Sequence, residues 1–212
     1  MKRTTRSNRD EYTEDVEREV FKRGLLYGTK PNAFLAKQSE HLPSQATVLM
    51  LGEGEGRTAC YLSASGFKVS ALDASDIGLK KTEALSKELG VEVETILADL
   101  EVWKSEKTYD AILTSFLHLP EPLRSKAFHH ALDILKPGGY FMGEFFALAQ
   151  LNRDSGGPKI PELLYTLASV QNIFNRDDVT LVTLEACTDV LDEGVGHQGK
   201  ADLIRVIVQK NK

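Results

Sequence analysis

"VLMLGEGEGRTACYLSASGF", residues 48–67, is an apolar run that breaks into three glycines separated by two glutamates and resumes as a helical pattern closed by Gly66. A run of strand length that stops at glycines and passes into a helix is the opening of a strand–loop–helix unit. The same alternation continues on the C-terminal side. "TVLML" (47–51), "KVSALD" (68–73), "VEVETILAD" (91–99), "YDAILTSF" (109–116) and "GYFMGEFF" (139–146) are short runs rich in strand formers. Between them, "RTACYLSAS" (57–65), "SDIGLKKTEALSKEL" (75–89, ended by Gly90) and "EPLRSKAFHHALDILK" (121–136, ended by Pro137 and two glycines) read as helices. Such alternation predicts a parallel sheet with helices on both faces, because parallel strands need crossovers and right-handed crossovers dominate. The last third differs. "PELLYTLASVQNIF" (161–174) reads as a helix, and "VTLVTLEACTDVL" (179–191) and "ADLIRVIVQK" (201–210) as an antiparallel pair of long strands joined by glycine-rich "DEGVGHQGK" (192–200). Upstream, Gly28, Pro31 and Asn32 mark a turn before a helix in "AFLAKQSEHL" (33–42), and Tyr12, Val16 and Val20 space a short amphipathic helix behind the basic, polar "MKRTTRSNRD" (1–10).

At 212 residues and 42% hydrophobic, the chain is long enough for one well-buried core with accessory segments. A net charge of −5 supplies no global positive field for nucleic acid or an anionic membrane. Cys60 and Cys187 lie far apart in apolar stretches, which fits reduced core thiols better than a disulfide framework. No apolar stretch approaches the length of a membrane span, and no hydrophobic segment follows the N-terminal charges. The expectation is a soluble cytoplasmic protein. No metal site is expected, since no His, Cys and carboxylate cluster has ligand spacing, and no serine sits in a nucleophile elbow.

In open parallel sheets, ligands bind beyond the carboxyl ends of the strands, where the strand order reverses. Gly52, Glu53, Gly54, Glu55 and Gly56 occupy that place after the first strand. "GEGRTA" from Gly54 satisfies G-x-G-x-x-G/A, so a nicotinamide or flavin dinucleotide is one reading. Two carboxylates, however, raise the negative potential that a pyrophosphate must enter, with Arg57 a partial offset. No lysine follows in Walker fashion, which removes the nucleoside-triphosphate version. A ligand with a positive centre and no phosphate avoids the conflict, and S-adenosylmethionine, with its sulfonium and ammonium, is such a ligand. Asp73 ends the second strand, where an acid accepts hydrogen bonds from ribose hydroxyls of either cofactor.

The G-x-G-x-G loop, Asp73, Asp99 in "LADL" (97–100) and "LKPGG" (135–139) together resemble the ordered motifs of class I S-adenosylmethionine-dependent methyltransferases. The resemblance spans residues 27–210 and implies a Rossmann-like α/β fold: a mostly parallel seven-stranded sheet with an antiparallel C-terminal strand and helices on both faces. It implies S-adenosyl-L-methionine as cofactor, with the backbone of Gly52, Gly54 and Gly56 on its methionyl part. Asp73, beside Ala74, falls at the ribose; Asp99 and the backbone of Leu100 at the adenine; Ser115 and Phe116 near the methionyl end. "YGTKPNAFL" (27–35) and "EGVGHQGKADLIRV" (193–206) are similar to the tellurite-resistance-type group of small methyltransferases. One departure stands out: where the family often has an acid two residues before the first loop glycine, this chain has Met50. Glu53 either supplies the missing charge or points to solvent.

Methyl transfer from a sulfonium is an in-line displacement, in which alignment and desolvation of the nucleophile supply much of the rate. A thiolate, selenide or reduced oxyanion needs no strong protein base, whereas an alcohol, amine or carbon nucleophile calls for one. The candidates around the mouth are Tyr27, His118 and His197. His118 either faces the methyl group or orders its loop. His197 is a loop histidine bonded to backbone unless it has the pocket role that the group resemblance implies, and Tyr27 covers the cofactor or anchors the N-terminal segment. His41, His129 and His130 read as surface or packed residues. "LNRDSGGPKIPELL" (151–164) is the substrate-facing insertion, in which Arg153 and Lys159 either attract an anionic acceptor or are solvated. The expected organisation is a flexible tail (1–10) and a single methyltransferase domain (11–212), divided into an N-terminal helical cap (11–46), a cofactor-binding half (47–146) and a substrate-side helix with the terminal strand pair (147–212). The expected acceptor is a small molecule, a thiol or a chalcogen oxyanion; the alternatives are an NAD(P)-dependent oxidoreductase and a cofactor-binding protein without catalysis.

Overall fold

Strand β1 (Thr47–Leu51) sends its side chains alternately to two apolar layers, and the fold is built on that alternation. In the computed structural model, which describes residues 24–212, the elements follow in the order α1 (Ala33–Ser39), β1, α2 (Arg57–Ala64), β2 (Lys68–Asp73), α3 (Asp76–Leu89), β3 (Val93–Leu97), β4 (Tyr109–Ser115), α4 (Leu123–Asp133), β5 (Leu135–Phe146), α5 (Leu167–Ile173), β6 (Val179–Glu193) and β7 (His197–Lys210). The amphipathic helix expected around Tyr12, Val16 and Val20, and the basic tail, lie outside the described residues.

One sheet of seven strands runs β3-β2-β1-β4-β5-β7-β6. β1 pairs in parallel with both β2 and β4, so the chain order reverses between β1 and β4. β7 is antiparallel to both neighbours. Val48, Met50, Ala111 and Leu113 face one layer with Phe34 and Leu35 of α1, Leu62 of α2 and Leu79 of α3. Leu49, Leu51, Ile112, Phe141 and Phe145 face the other with Phe128 and Leu132 of α4 and Val170 and Ile173 of α5. The Rossmann-like sheet, its reversed last strand and helices on both faces are as the sequence implied.

Several boundaries differ from the sequence reading, each for a local reason. β3 ends at Leu97 rather than residue 99, because the Asp99 carbonyl accepts from the amides of Val102 and Trp103 and closes a turn. The helix read over 121–136 stops at Asp133, and β5 begins at Leu135, its "LKPGG" entering the ladder through an irregularity between Tyr109 and Ala111 of β4. The helix read over 161–174 splits into a 3₁₀ turn (Pro161–Leu163) and α5. Tyr165 between them is drawn into the core, stacked on Phe145 at 4.2 Å, and Thr166 caps α5 by a reciprocal bond with Ser169. α1 stops at Ser39, short of residue 42. "DEGVGHQGK", a connection suited to a hairpin or a longer excursion, is the hairpin: the ladder runs on until Glu193 pairs with His197, and only Gly194, Val195 and Gly196 turn the chain.

Candidate active site

Every charged side chain of "GEGEGR" is used internally. Glu53 Oε1 accepts from the amides of Thr58 and Ala59 at 3.0 and 2.9 Å, so it caps the first turn of α2, whose own N-cap, Gly56, has no side chain to do so. Burial pushes the Glu53 carboxyl up to about 7, against the pull of those amides and of Arg57. Glu55 accepts from the Tyr27 amide at 3.2 Å and pairs with Lys81 of α3 at 2.8 Å. Arg57 meets Glu193 at 2.6 Å and donates to the Lys30 carbonyl at 3.0 Å. The reading in which Glu53 points to solvent is therefore corrected. Met50 is fully buried in the core, where an acid would be costly.

The loop glycines divide by what surrounds them. Gly52, Gly54 and Gly56 all have positive φ, at 64, 66 and 87°. A Cβ at Gly52 would strike Leu117, and one at Gly56 would strike Thr82 at 2.7 Å, whereas one at Gly54 meets nothing within 4 Å. Asp73 at the end of β2 accepts from Gly54 N through Oδ2 and from Ser75 N through Oδ1, both at 2.8 Å, fixing its carboxylate beside the open side of the loop. Ala74 is exposed next to it. Asp99 is exposed in the turn after β3, accepting from Glu101 N at 2.8 Å, and Leu100 packs on the core.

Beyond the carboxyl ends of β4 and β5 the side chains are aromatic. Ser115 ends β4, and Phe116 adopts φ 53° while its amide donates to Glu144 O at 2.8 Å. A positive φ is unusual for a phenylalanine, and here it turns the ring onto Phe146, with centroids 4.6 Å apart. His197 sits against Phe116 at 4.4 Å, Tyr27 at 4.5 Å and Phe146 at 5.2 Å, and His118 stacks on Phe146 at 6.0 Å. The three catalytic candidates, Tyr27, His118 and His197, thus converge on one aromatic recess with Phe116. Gly194 and Gly196 make this possible: a Cβ at either would overlap residues 26–28, and Gly196 N donates to Leu26 O at 3.1 Å. Burial lowers the pKa of both histidines, His118 to about 4 with a further push from His197; both rings are neutral at pH 7.

Sequence reasoning missed the polar chain behind this recess. Asn32, fully buried, donates to Glu144 at 2.7 Å and Glu193 at 3.2 Å; Glu193 receives Arg57, and Glu144 receives Arg205 at 2.6 Å. The available signal was Glu193 four residues before His197 across a glycine turn. Arg153 and Lys159 are not offered to a ligand: Arg153 forms a two-point pair with Asp202, and Lys159 folds onto the carbonyls of Leu151 and Arg153. A concavity of about 740 Å3 lies at the opposite, amino ends of β1, β2 and β4, lined by Thr47, Lys68, Ser70, Glu94 and Tyr109, away from the loop. Among the described residues, no group of three or more His, Cys, Asp and Glu is placed to hold a metal ion.

Residues 48–139 match a family described as a methyltransferase domain. The ubiquinone biosynthesis O-methyltransferase of Rickettsia canadensis (strain McKiel) is 36% identical over 70 residues, covering 33% of this chain and 30% of the relative, so the match spans about a third of that protein. Among solved structures, TehB from Haemophilus influenzae superposes with a TM-score of 0.68 at 17% identity, over 85% of this chain and 62% of that one. The N-methyltransferase NodS from Bradyrhizobium japonicum WM9, solved with S-adenosyl-L-homocysteine, does so at 0.63 and 13%, over 95% and 88%. Residues 48–139 are thus similar to a methyltransferase domain, and the chain has the Rossmann-like fold seen in S-adenosylmethionine-dependent methyltransferases, a class of enzymes whose cofactor is S-adenosylmethionine. The residues present fit that cofactor: an acid at the end of β2, positive-φ glycines in the loop, and an open side at Gly54, where a Cβ would meet nothing within 4 Å.

Proposed function

We propose that this protein transfers a methyl group from S-adenosylmethionine to a small-molecule acceptor in the cytoplasm. The observation that carries the reading is the adjacency, at the β1/β4 reversal, of the open glycine loop with Asp73 and the aromatic recess of Tyr27, Phe116, His118 and His197. Gly52, Glu53, Gly54 and Gly56 hold the methionyl part through the loop, Asp73 and Ala74 take the ribose, Asp99 and Leu100 flank the adenine, and Ser115 and Phe116 meet the methyl-bearing end. When bound, the cofactor supplies an electrophilic methyl carbon whose bond to the sulfonium breaks, with its electron pair, as the bond to the acceptor forms. The chain's own part is to align the acceptor and exclude water, which the ring packing around His197 supports. Arg57, which would offset the loop acids for a pyrophosphate, is committed to Glu193, and Lys81 to Glu55, which weighs against the dinucleotide reading.

The acceptor expected from the sequence is a thiol or a chalcogen oxyanion. Labelled methyl donor incubated with the protein and a panel of thiols, selenite and tellurite tests this. A labelled small-molecule product is the expected result; label found only in a protein or RNA fraction overturns it.

A further inference from the structure

Two imidazoles in the recess have unmet hydrogen-bonding capacity. The Nδ1 atoms of His118 and His197 are buried and make no hydrogen bond. The acceptor facing His118 is the Leu163 carbonyl, and the acceptor facing Nδ1 of His197 is the Glu193 carboxylate, 3.8 Å away and beyond hydrogen-bond reach. A neutral imidazole has one N–H and one lone pair. The Leu163 carbonyl draws the single proton of the His118 ring, so the buried Nδ1 of that ring keeps a lone pair for something else, and Nδ1 of His197 beside it is left without a hydrogen-bond partner. Both rings rest on Phe146, and Phe116 and Tyr27 complete an apolar surround.

The nearby arginines are already satisfied. Arg57 is held by Glu193, Arg205 by Glu144 and Asp189, and Arg124 by the carbonyls of Leu119 and Glu162 while it lies over the Tyr165 ring. A recess that offers lone pairs, aromatic faces and no uncommitted guanidinium repels an anion and leaves an oxyanion's acceptors unmatched. It suits a hydrogen-bond donor carried on an apolar body.

We infer that His118 and His197 select an uncharged acceptor presenting an acidic X–H, a thiol or phenolic hydroxyl on an apolar or aromatic body, and exclude chalcogen oxyanions. This rests on the methyl-transfer reading and narrows it. The X–H donates to an imidazole lone pair, which orients the lone pair of X along the line of displacement. The two histidines act here through recognition. A ring whose pKa is held near 4 is a weak base, and the displaced proton passes on to water.

The test is calorimetry on the protein saturated with S-adenosyl-L-homocysteine, using phenylmethanethiol, phenol, their methylated counterparts benzyl methyl sulfide and anisole, and sodium selenite. Phenylmethanethiol or phenol is expected to bind at least about tenfold more tightly than its methylated counterpart, the value of one hydrogen bond to a buried acceptor, and selenite not at all. His118→Phe, which keeps the ring and removes the lone pair, is expected to shrink that ratio and leave homocysteine-cofactor affinity unchanged. The two X–H probes separate thiol from phenol selectivity. Equal binding of the X–H and X–CH3 partners, or selenite binding in preference to both, overturns the inference while the methyl-transfer reading stands. Failure of S-adenosyl-L-homocysteine itself to bind overturns that reading, and the inference with it.

Discussion

The Arg57 guanidinium, in the first turn after the glycine loop, meets the Glu193 carboxylate at the end of β6 at 2.6 Å, with side chains 7% and 6% exposed. The pair joins the glycine loop to the turn that carries His197, and through the Lys30 carbonyl to the segment that carries Tyr27. Removing one member strands the other charge in the interior. Glu193→Ala is expected to cost about 3 to 5 kcal/mol in urea unfolding, and the double variant Arg57→Met, Glu193→Leu clearly less than the sum of the two single losses. Additive losses would show that the two residues act separately.

Gly54 and Gly56 share a left-handed backbone, yet their substitution should have different consequences. Gly56→Ala forces a Cβ onto Thr82 and is expected to lower the melting temperature substantially, by more than the about 1 kcal/mol of backbone strain alone. Gly54→Ala carries that strain without the collision, so its main effect is expected on cofactor affinity, because the methyl group stands on the open side of the loop. Thermal melts and calorimetry on both variants separate the effects. An unchanged affinity in Gly54→Ala would move the cofactor elsewhere.

Glu53 gives the fold a pH dependence of defined sign. Its carboxyl is raised from 4.5 unfolded to about 7 folded, so the folded state binds its proton more tightly. The stability this contributes is fully present below about pH 4.5 and lost as pH rises through about 7. Glu53→Gln keeps an oxygen for the amides of Thr58 and Ala59 without the titration. Relative to wild type, the variant should gain stability between pH 5 and pH 8, by at most about 3 kcal/mol. Parallel denaturation curves at the two pH values check this, and a constant difference would contradict it.

The fold was legible because glycine stops and alternating apolar runs report local geometry. β1, β2, the loop between β1 and α2, and the strand reversal at β7 depend on that geometry, and all are found. The ends that moved are those decided by distant partners: Tyr165 interrupts a helical pattern because Phe145 and the Leu117 carbonyl receive it, and "DEGVGHQGK" extends the ladder because its glycines dock on residues 26–28. At the site, Tyr27, His118 and His197 were each legible singly as polar residues in loops, but their meeting on Phe116 and Phe146 is a tertiary fact. The charges of "GEGEGR" were legible as unusual for a phosphate loop. That Glu53 turns inward to cap α2 while Met50 stays in the core depends on burial, which no local pattern records.

Calorimetric titration of the wild-type protein and Asp73→Ala with S-adenosyl-L-homocysteine and with NAD tests the central claim most directly. The account predicts one-to-one binding of S-adenosyl-L-homocysteine, weakened by about 1 to 3 kcal/mol in Asp73→Ala, and no binding of NAD. NAD binding without any affinity for the adenosyl ligand would contradict it.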